Sequence, residues 1–360
     1  MSENLLKMEN ITLVYDNGVV ANEGVNFSVK KGEIHALVGE NGAGKSTLMK
    51  IAFGLEKPTK GRIFFDDKEV KFSSPNDAIE SGIGMVHQHF KLVSSLTVAE
   101  NLVLGKEPAS KGIFNYEKAI EITEKMSERF NFELEATDIV EEISVSKKQK
   151  LEILKAIYRD AKLIIMDEPT AVLTPQETEE LFEQLKEMRD QGITIIFISH
   201  KLEEIKALCD RLTILRNGKS MGTHIVSDIS EEDISRLMVG RDIVLDIDKP
   251  EIRKGNVCLS VRNLSYRDYF GKEKLSATSF DLRGGEILGV AGIDGSGQDE
   301  LVELLLGLKF LQKGEAGISL QGVECSKFSI KDRRENGLGF IPQDRMLHGI
   351  APNMSVKENL

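Results

Sequence analysis

The run Gly39, Glu40, Asn41, Gly42, Ala43, Gly44, Lys45, Ser46, Thr47 constrains this chain more than any other stretch, because it joins a short β-branched segment, Ile34 to Val38, to a helical one. A glycine, four residues of any kind, a second glycine, a lysine and a hydroxyl residue form the phosphate-loop pattern, and a strand before it and a helix after it are the context the pattern requires. The glycines let successive backbone N–H groups converge on phosphate oxygens, and the positive end of the following helix adds a favourable field. Lys45 would reach the β- and γ-phosphates of a nucleoside triphosphate, and Ser46 would offer its hydroxyl to a magnesium ion. Taken alone, the same run could be a glycine turn capping a helix.

The glycine-rich run recurs. Gly32, Glu33 and Ile34 reappear as Gly285, Glu286 and Ile287, an offset of 253 residues (285 − 32), and Gly39 to Thr47 reappears as Gly292 to Glu300. Met85, Val86, His87 and Gln88 match Phe340, Ile341, Pro342 and Gln343, and Val98 to Leu102 match Val356 to Leu360. Such self-similarity predicts two copies of one unit. The second stops partway, so a fragment or truncated reading frame is expected. The expected division is a first domain over 1–240, a charged connector over 241–255 and an incomplete second domain over 256–360. At 360 residues the chain exceeds what one core usually supports, in agreement.

Short apolar β-branched runs, Ile34 to Val38, Leu163 to Met166 and Thr194 to Ile198, alternate with helical stretches such as Thr178 to Gln191. That alternation predicts an α/β fold, a P-loop nucleotide-hydrolase domain with a mixed, largely parallel sheet. Over about 96–160 the pattern turns mostly helical and reads as an α-helical insertion.

Two strands end in chemistry. Leu163 to Met166 runs into Asp167 and Glu168, carboxylates placed to hold magnesium and to orient or deprotonate an attacking water. Thr194 to Ile198 runs into Ser199 and His200, bringing an imidazole to the same edge of the sheet. Gln88 offers a neutral amide to metal or water at the border of the helical insertion, or else sits in a surface loop. Tyr15, before Asp16, Asn17 and Gly18, either stacks on the base or packs in the core.

Composition narrows the classes. The net charge of −11 argues against a broad nucleic-acid surface, and the run Ser146, Lys147, Lys148, Gln149, Lys150 reads as a solvated helix face. The apolar runs are too short to span a bilayer, and the amino end lacks the pattern of a secretory signal, so a cytoplasmic protein is expected. Cys209, Cys258 and Cys325 lie far apart without a CxxC pair and read as reduced thiols.

In order and spacing, Gly39 to Thr47, Gln88, Ile143 to Lys147, Leu163 to Glu168 and His200 resemble the motifs of an ATP-binding cassette. The segment Pro169 to Glu177 and the tandem layout are similar to the simple-sugar and nucleoside importers. The resemblance implies ATP and Mg2+ as cofactors, with Glu168, His200 and Gln88 catalytic and Ser46, Gln88 and Asp167 at the metal. Tyr15, Gly39, Asn41, Gly42, Ala43, Gly44, Lys45, Ser46 and Thr47 would contact nucleotide, as would Ser144 and Ser146 of the segment that resembles the cassette signature. It further implies a head-to-tail sandwich with a second cassette or second copy, integral-membrane permeases gripping the helical insertions, an extracellular substrate-binding protein, and a place on the inner face of the cell membrane. No nucleic-acid partner is implied.

Two departures stand out. The signature usually reads LSGGQ or LSVGQ, whereas this chain has Ile143, Ser144, Val145, Ser146, Lys147, and the Ser146 side chain should crowd a phosphate. The later glycine loop carries Gln298 and Asp299 in place of lysine and hydroxyl, losing a cation and gaining an anion, which disfavours nucleotide. Both departures fall in the same composite site of a sandwich, so one competent and one degenerate site are expected. The rival readings are a soluble tandem cassette acting on ribosomes or nucleic acid and a regulatory module that binds ATP without hydrolysis.

Overall fold

The computed structural model describes residues 3–87, 90–110, 112–240, 254–269, 271–293, 295–311, 316–342 and 348–360. Gln88, Gln343 and most of the expected connector, 241–253, lie outside the described residues. The chain divides into two compact units, Met1–Leu245 and Asp246–Leu360.

The first unit runs β1 (Asn4–Val14), β2 (Val20–Lys30), β3 (Ile34–Val38), α1 (Lys45–Ala52), β4 (Lys60–Phe65), β5 (Lys68–Val70), α2 (Pro75–Ser81) and β6 (Ile83–Val86). A mostly helical stretch follows: α3 (Val98–Val103), the short hairpin β7 (Ala109–Ser110) and β8 (Ile113–Phe114), α4 (Tyr116–Arg129) and α5 (Val145–Tyr158). The chain then returns through β9 (Leu163–Asp167), α6 (Pro175–Asp190), β10 (Thr194–Ile198), α7 (Leu202–Leu208), β11 (Arg211–Arg216), β12 (Lys219–Ile225) and α8 (Glu231–Val239).

Six strands form the central sheet in the order β12-β11-β3-β10-β9-β6, parallel except for β12. The inner strands are buried on both faces, which is why they read as unbroken apolar runs rather than alternating ones. Period-2 geometry splits each run between two cores. Ile34, Ala36, Val38, Ile164, Met166, Ile195 and Phe197 face one, with the helices α5 to α8 and the helical insertion. Leu37, Leu163, Ile165, Ile196 and Ile198 face the other, with α1 and the antiparallel sheet β2-β1-β4-β5. Each of the larger aliphatic, Met and Phe side chains contributes about 1.5–3 kcal/mol on burial, so the strand ends that carry the site rest on the buried core of the unit.

Two expectations need correction. The helix expected from Thr178 starts at Pro175, because Thr174 and Glu177 form a reciprocal capping box and Pro175 needs no N–H partner in the first turn. The lysine-rich run is only partly a solvated face. Gln149 and Lys150 are buried, and Lys150 Nζ pairs with Glu180 Oε1 at 2.5 Å, because this side of α5 packs toward α6.

The second unit contains β13 (Val257–Arg267), β14 (Glu273–Arg283), α9 (Gln298–Leu306), β15 (Gly317–Leu320), β16 (Val323–Glu324), α10 (Ile330–Glu335) and α11 (Val356–Asn359). Its antiparallel sheet has the order β14-β13-β15-β16. Residues 287–293 form no strand, and Ile287 and Ile293 are 97% and 82% exposed. The matching segment of the first unit, β3, is buried because β10 and β11 flank it, and no described strand flanks 287–293.

Candidate functional site

The site grows from the carboxyl ends of β3, β9 and β10, which are adjacent in the sheet. After Val38 the chain turns through Gly39 to Gly44 and enters α1 directly. Gly44 caps that helix with φ 97° and ψ 6°, a left-handed conformation that a side chain resists. Space excludes a side chain as well: a Cβ there would sit 2.5 Å from the Ala21 carbonyl oxygen and 2.6 Å from Asn22 Nδ2. β2 therefore presses against the loop from behind, with the Asn22 amide donating to the Gly44 carbonyl at 3.3 Å.

Lys45 arches back over the loop. Its ammonium donates to the carbonyl oxygens of Gly39 at 2.6 Å and Glu40 at 3.0 Å, and burial lowers its pKa against the opposing pull of Glu168 and Asp167. Ser46 hydrogen-bonds the Asp167 carboxylate. Burial, with the neighbouring charge of Glu168, raises the Asp167 carboxyl above the usual range, while Ser46, Lys45 and Lys50 pull the other way. The glycine loop thus faces a carboxyl group that burial and a neighbouring acid hold back from ionising.

Glu168 adopts φ 49°, which a non-glycine residue holds only when its surroundings impose it. Its N–H donates to the Ile198 carbonyl at 3.0 Å, tying the end of β9 to the end of β10. Two residues beyond Ile198, His200 Nδ1 lies 3.1 Å from Glu168 Oε1.

These groups share one cavity of about 460 Å3, lined by Val19, Val20, Ala21, Asn41, Gly42, Gly44, Lys45, Ser46, Thr47, Asp167, Glu168 and His200. Gly39 and Ala43 belong to the loop without lining the cavity. Tyr15 packs on the core beside β2, and its N–H donates to the carbonyl of Val19, a lining residue. Ser144 caps α5, accepting from the Lys147 N–H, and neither it nor Ser146 lines this cavity. Sequence reasoning missed Val19, Val20 and Ala21. It also missed Glu204, a buried carboxylate behind the site, although its place four residues after His200 in a new helix was a readable signal.

In the second unit Gly297 repeats the left-handed cap, with φ 96° and ψ 10°, at the start of α9. Gln298 stands where Lys45 stands, and its amide donates to the Ile293 carbonyl at 3.3 Å. Asp299 and Glu300 occupy the first turn. Asp294 lies outside the described residues.

Comparison with known proteins agrees with this geometry. The ABC transporter family model matches residues 22–171. The guanosine import ATP-binding protein NupO of Bacillus subtilis is 42% identical over 358 residues, 99% of this chain and 70% of that protein. The glucose import ATP-binding protein TsgD13 of Haloferax volcanii is 42% identical over 388 aligned positions, again 99% of this chain and 70% of that protein. Among solved structures, the ADP conformation of MJ1267, an ATP-binding cassette of an ABC transporter, matches with TM-score 0.56 and 27% identity, covering 66% of this chain and 96% of that one. The chain belongs to the ABC transporter family of ATP-binding proteins.

Proposed function

We propose that the chain is the ATP-binding and hydrolysing subunit of an importer for a simple sugar or a nucleoside, working on the inner face of a cell membrane with permease subunits that span it. The observation that carries this reading is the convergence of Lys45, Ser46, Asp167, Glu168 and His200 on one cavity. The cargo class rests on the import proteins to which the chain is similar. No helix among the described residues is long and apolar enough to cross a membrane, so the conduit is assigned to partners.

In this reading the loop amides and Lys45 bind the β- and γ-phosphates, Lys45 exchanging its two loop carbonyls for phosphate oxygens. Tyr15 and the neighbouring Val19 and Val20 provide a flat and apolar wall for the base. The Asp167 carboxyl and the Ser46 hydroxyl are hard oxygen donors in a spot short of positive charge, which fits Mg2+. They would hold it, with Gln88 as a further ligand, and the bound ion would offset phosphate charge. Glu168 takes the proton of the attacking water on its carboxylate. In its doubly protonated form His200 donates Nδ1–H to the Glu168 carboxylate and Nε2–H to the γ-phosphate.

We read 256–360 as part of a second cassette following 1–240 and a connector. Support comes from the matching sheet order β14-β13-β15-β16 and the shared left-handed cap at Gly297. There the neutral Gln298 and the acidic first turn of α9 disfavour a triphosphate, so this loop is assigned a degenerate role. A head-to-tail partner, a second cassette or second copy, would set Ser144 and Ser146 against its nucleotide. A cleft of about 220 Å3 lined by Phe53, Met85, His87, Glu152, Lys155 and Arg159 supports a permease contact beside the helical insertion. An extracellular binding protein would deliver cargo to that permease.

The test is equilibrium binding of a fluorescent ATP analogue with Mg2+, alongside uptake by cells carrying the transporter. Lys45→Ala should abolish both. Undiminished nucleotide affinity in Lys45→Ala would overturn the assignment of the site.

A further inference from the structure

Glu204, in the first turn of α7, is buried and is not among the residues that line the nucleotide cavity. A buried carboxylate is costly unless donors surround it, and here they come from two separate loops. Thr170, two residues after Glu168, directs its hydroxyl at the carboxylate with 2.8 Å to each oxygen. Ser199, immediately before His200, donates its hydroxyl to Oε2 at 2.8 Å and accepts the Lys201 N–H at 3.1 Å. Lys201 Nζ lies 2.8 Å from Oε1. Thr170 and Ser199 are themselves 2% and 3% exposed, so neither hydroxyl can turn to water instead.

A local helix tie explains the bond to Ser199, five residues back, but not the bond to Thr170, which is 34 residues away on the other loop. That loop contains the strained φ 49° of Glu168, a conformation that persists only when neighbours over-determine it. The Glu168 N–H bond to Ile198 fixes one side of the residue, and Thr170 on Glu204 fixes the other.

We infer that Glu204 is a positioning residue for hydrolysis: its buried carboxylate clasps the loops that carry Glu168 and His200 and sets the distance between them. It acts through Thr170 and Ser199 and not on the nucleotide. The inference rests on the reading of Glu168 and His200 given above.

The experiment compares Glu204→Gln, Thr170→Val, Ser199→Ala and the double variant of the last two with wild type and with Glu168→Gln, all in the full chain. Single-turnover hydrolysis, equilibrium MgATP binding, melting temperature and the imidazole 1H–13C correlation of His200 are measured. Glu204→Gln should lower the hydrolysis rate about tenfold or more, because small misplacements of a reacting group are expensive, while leaving ATP affinity within about twofold. The His200 correlation should shift, and the double variant should reproduce both effects if Glu204→Gln itself folds poorly. A folded Glu204→Gln with wild-type rate and wild-type His200 signals overturns the inference, as does a rate loss that only tracks loss of melting temperature and affinity. If Glu168→Gln hydrolyses normally, the catalytic reading falls and the inference with it; if Glu168→Gln is dead and Glu204→Gln is normal, the inference falls alone.

Discussion

His200 Nδ1 stands 3.1 Å from Glu168 Oε1, although 32 residues separate them in the chain. The parallel register that pairs Ile198 with Asp167 brings the ends of β9 and β10 level and makes the contact possible. A carboxylate so held can take a proton from water without swinging away. Glu168→Gln should therefore cut hydrolysis about 100-fold or more, the usual contribution of a positioned general base, while MgATP still binds. His200→Ala should lower hydrolysis too, and the double variant should lose less than the product of the single losses, since the two act as a unit. Phosphate release in single-turnover assays decides; wild-type turnover by Glu168→Gln would remove Glu168 from the mechanism.

The Asp167 carboxyl is held above its usual range by burial and by Glu168. Protons and a divalent cation therefore compete for it, so the Mg2+ concentration needed for half-maximal hydrolysis should rise as pH falls toward that raised pKa. Asp167→Asn should increase the Mg2+ requirement about tenfold or more and flatten its pH dependence. A Mg2+ titration at fixed ATP and several pH values gives the answer, and an unchanged requirement in Asp167→Asn would argue that the metal is held elsewhere.

How much of this was legible in the sequence follows from what each residue answers to. The phosphate loop and the strand ends at Asp167 and Ser199 were readable because a doubly buried strand must be an unbroken apolar run and must stop where polar chemistry begins. The burial of Lys150 was not, since its partner Glu180 lies on another helix 30 residues away. For Glu204 only its place four residues after His200 was readable; its tie to Thr170 was hidden, across a gap of 34 residues that no local period spans. The start of α6 was recoverable in principle, because Thr174, Pro175 and Glu177 spell a capping box.

His35, fully buried in β3, places Nδ1 3.0 Å from Glu33 Oε1 and Nε2 2.8 Å from Thr213 Oγ1. The neutral ring satisfies both, donating to Glu33 and accepting from Thr213. Burial lowers the His35 pKa below that of an exposed histidine. In the window between the lowered folded value and the ordinary histidine value of 6.5, the unfolded chain binds a proton that the folded chain refuses. Stability is then fully present above the unfolded value and lost as pH falls through that window, with a slope of up to about 1.4 kcal/mol per pH unit. Urea unfolding of wild type and His35→Gln at several pH values should show a smaller acid loss in the variant. Equal slopes would mean that another group titrates.

Gly42 and Gly44 offer a matched pair for separating backbone strain from steric exclusion. Both have positive φ, 82° and 97°, so alanine at either carries the left-handed penalty of about 1–2 kcal/mol. They differ in surroundings: a Cβ at Gly42 meets nothing within 4 Å, whereas one at Gly44 would meet the Ala21 carbonyl at 2.5 Å and Asn22 Nδ2 at 2.6 Å. Neither neighbour is the end of a flexible chain, since the carbonyl belongs to β2 and Asn22 is itself buried. Gly44→Ala must push β2 away from the loop or unwind the start of α1, and either movement displaces Lys45 and Ser46. Urea unfolding should show Gly44→Ala losing more stability than Gly42→Ala by about 1 kcal/mol or more, the range of an overpacked site. Equilibrium binding should show nucleotide affinity falling further in Gly44→Ala than in Gly42→Ala. Equal losses in the two variants would mean that β2 yields freely and does not buttress the loop.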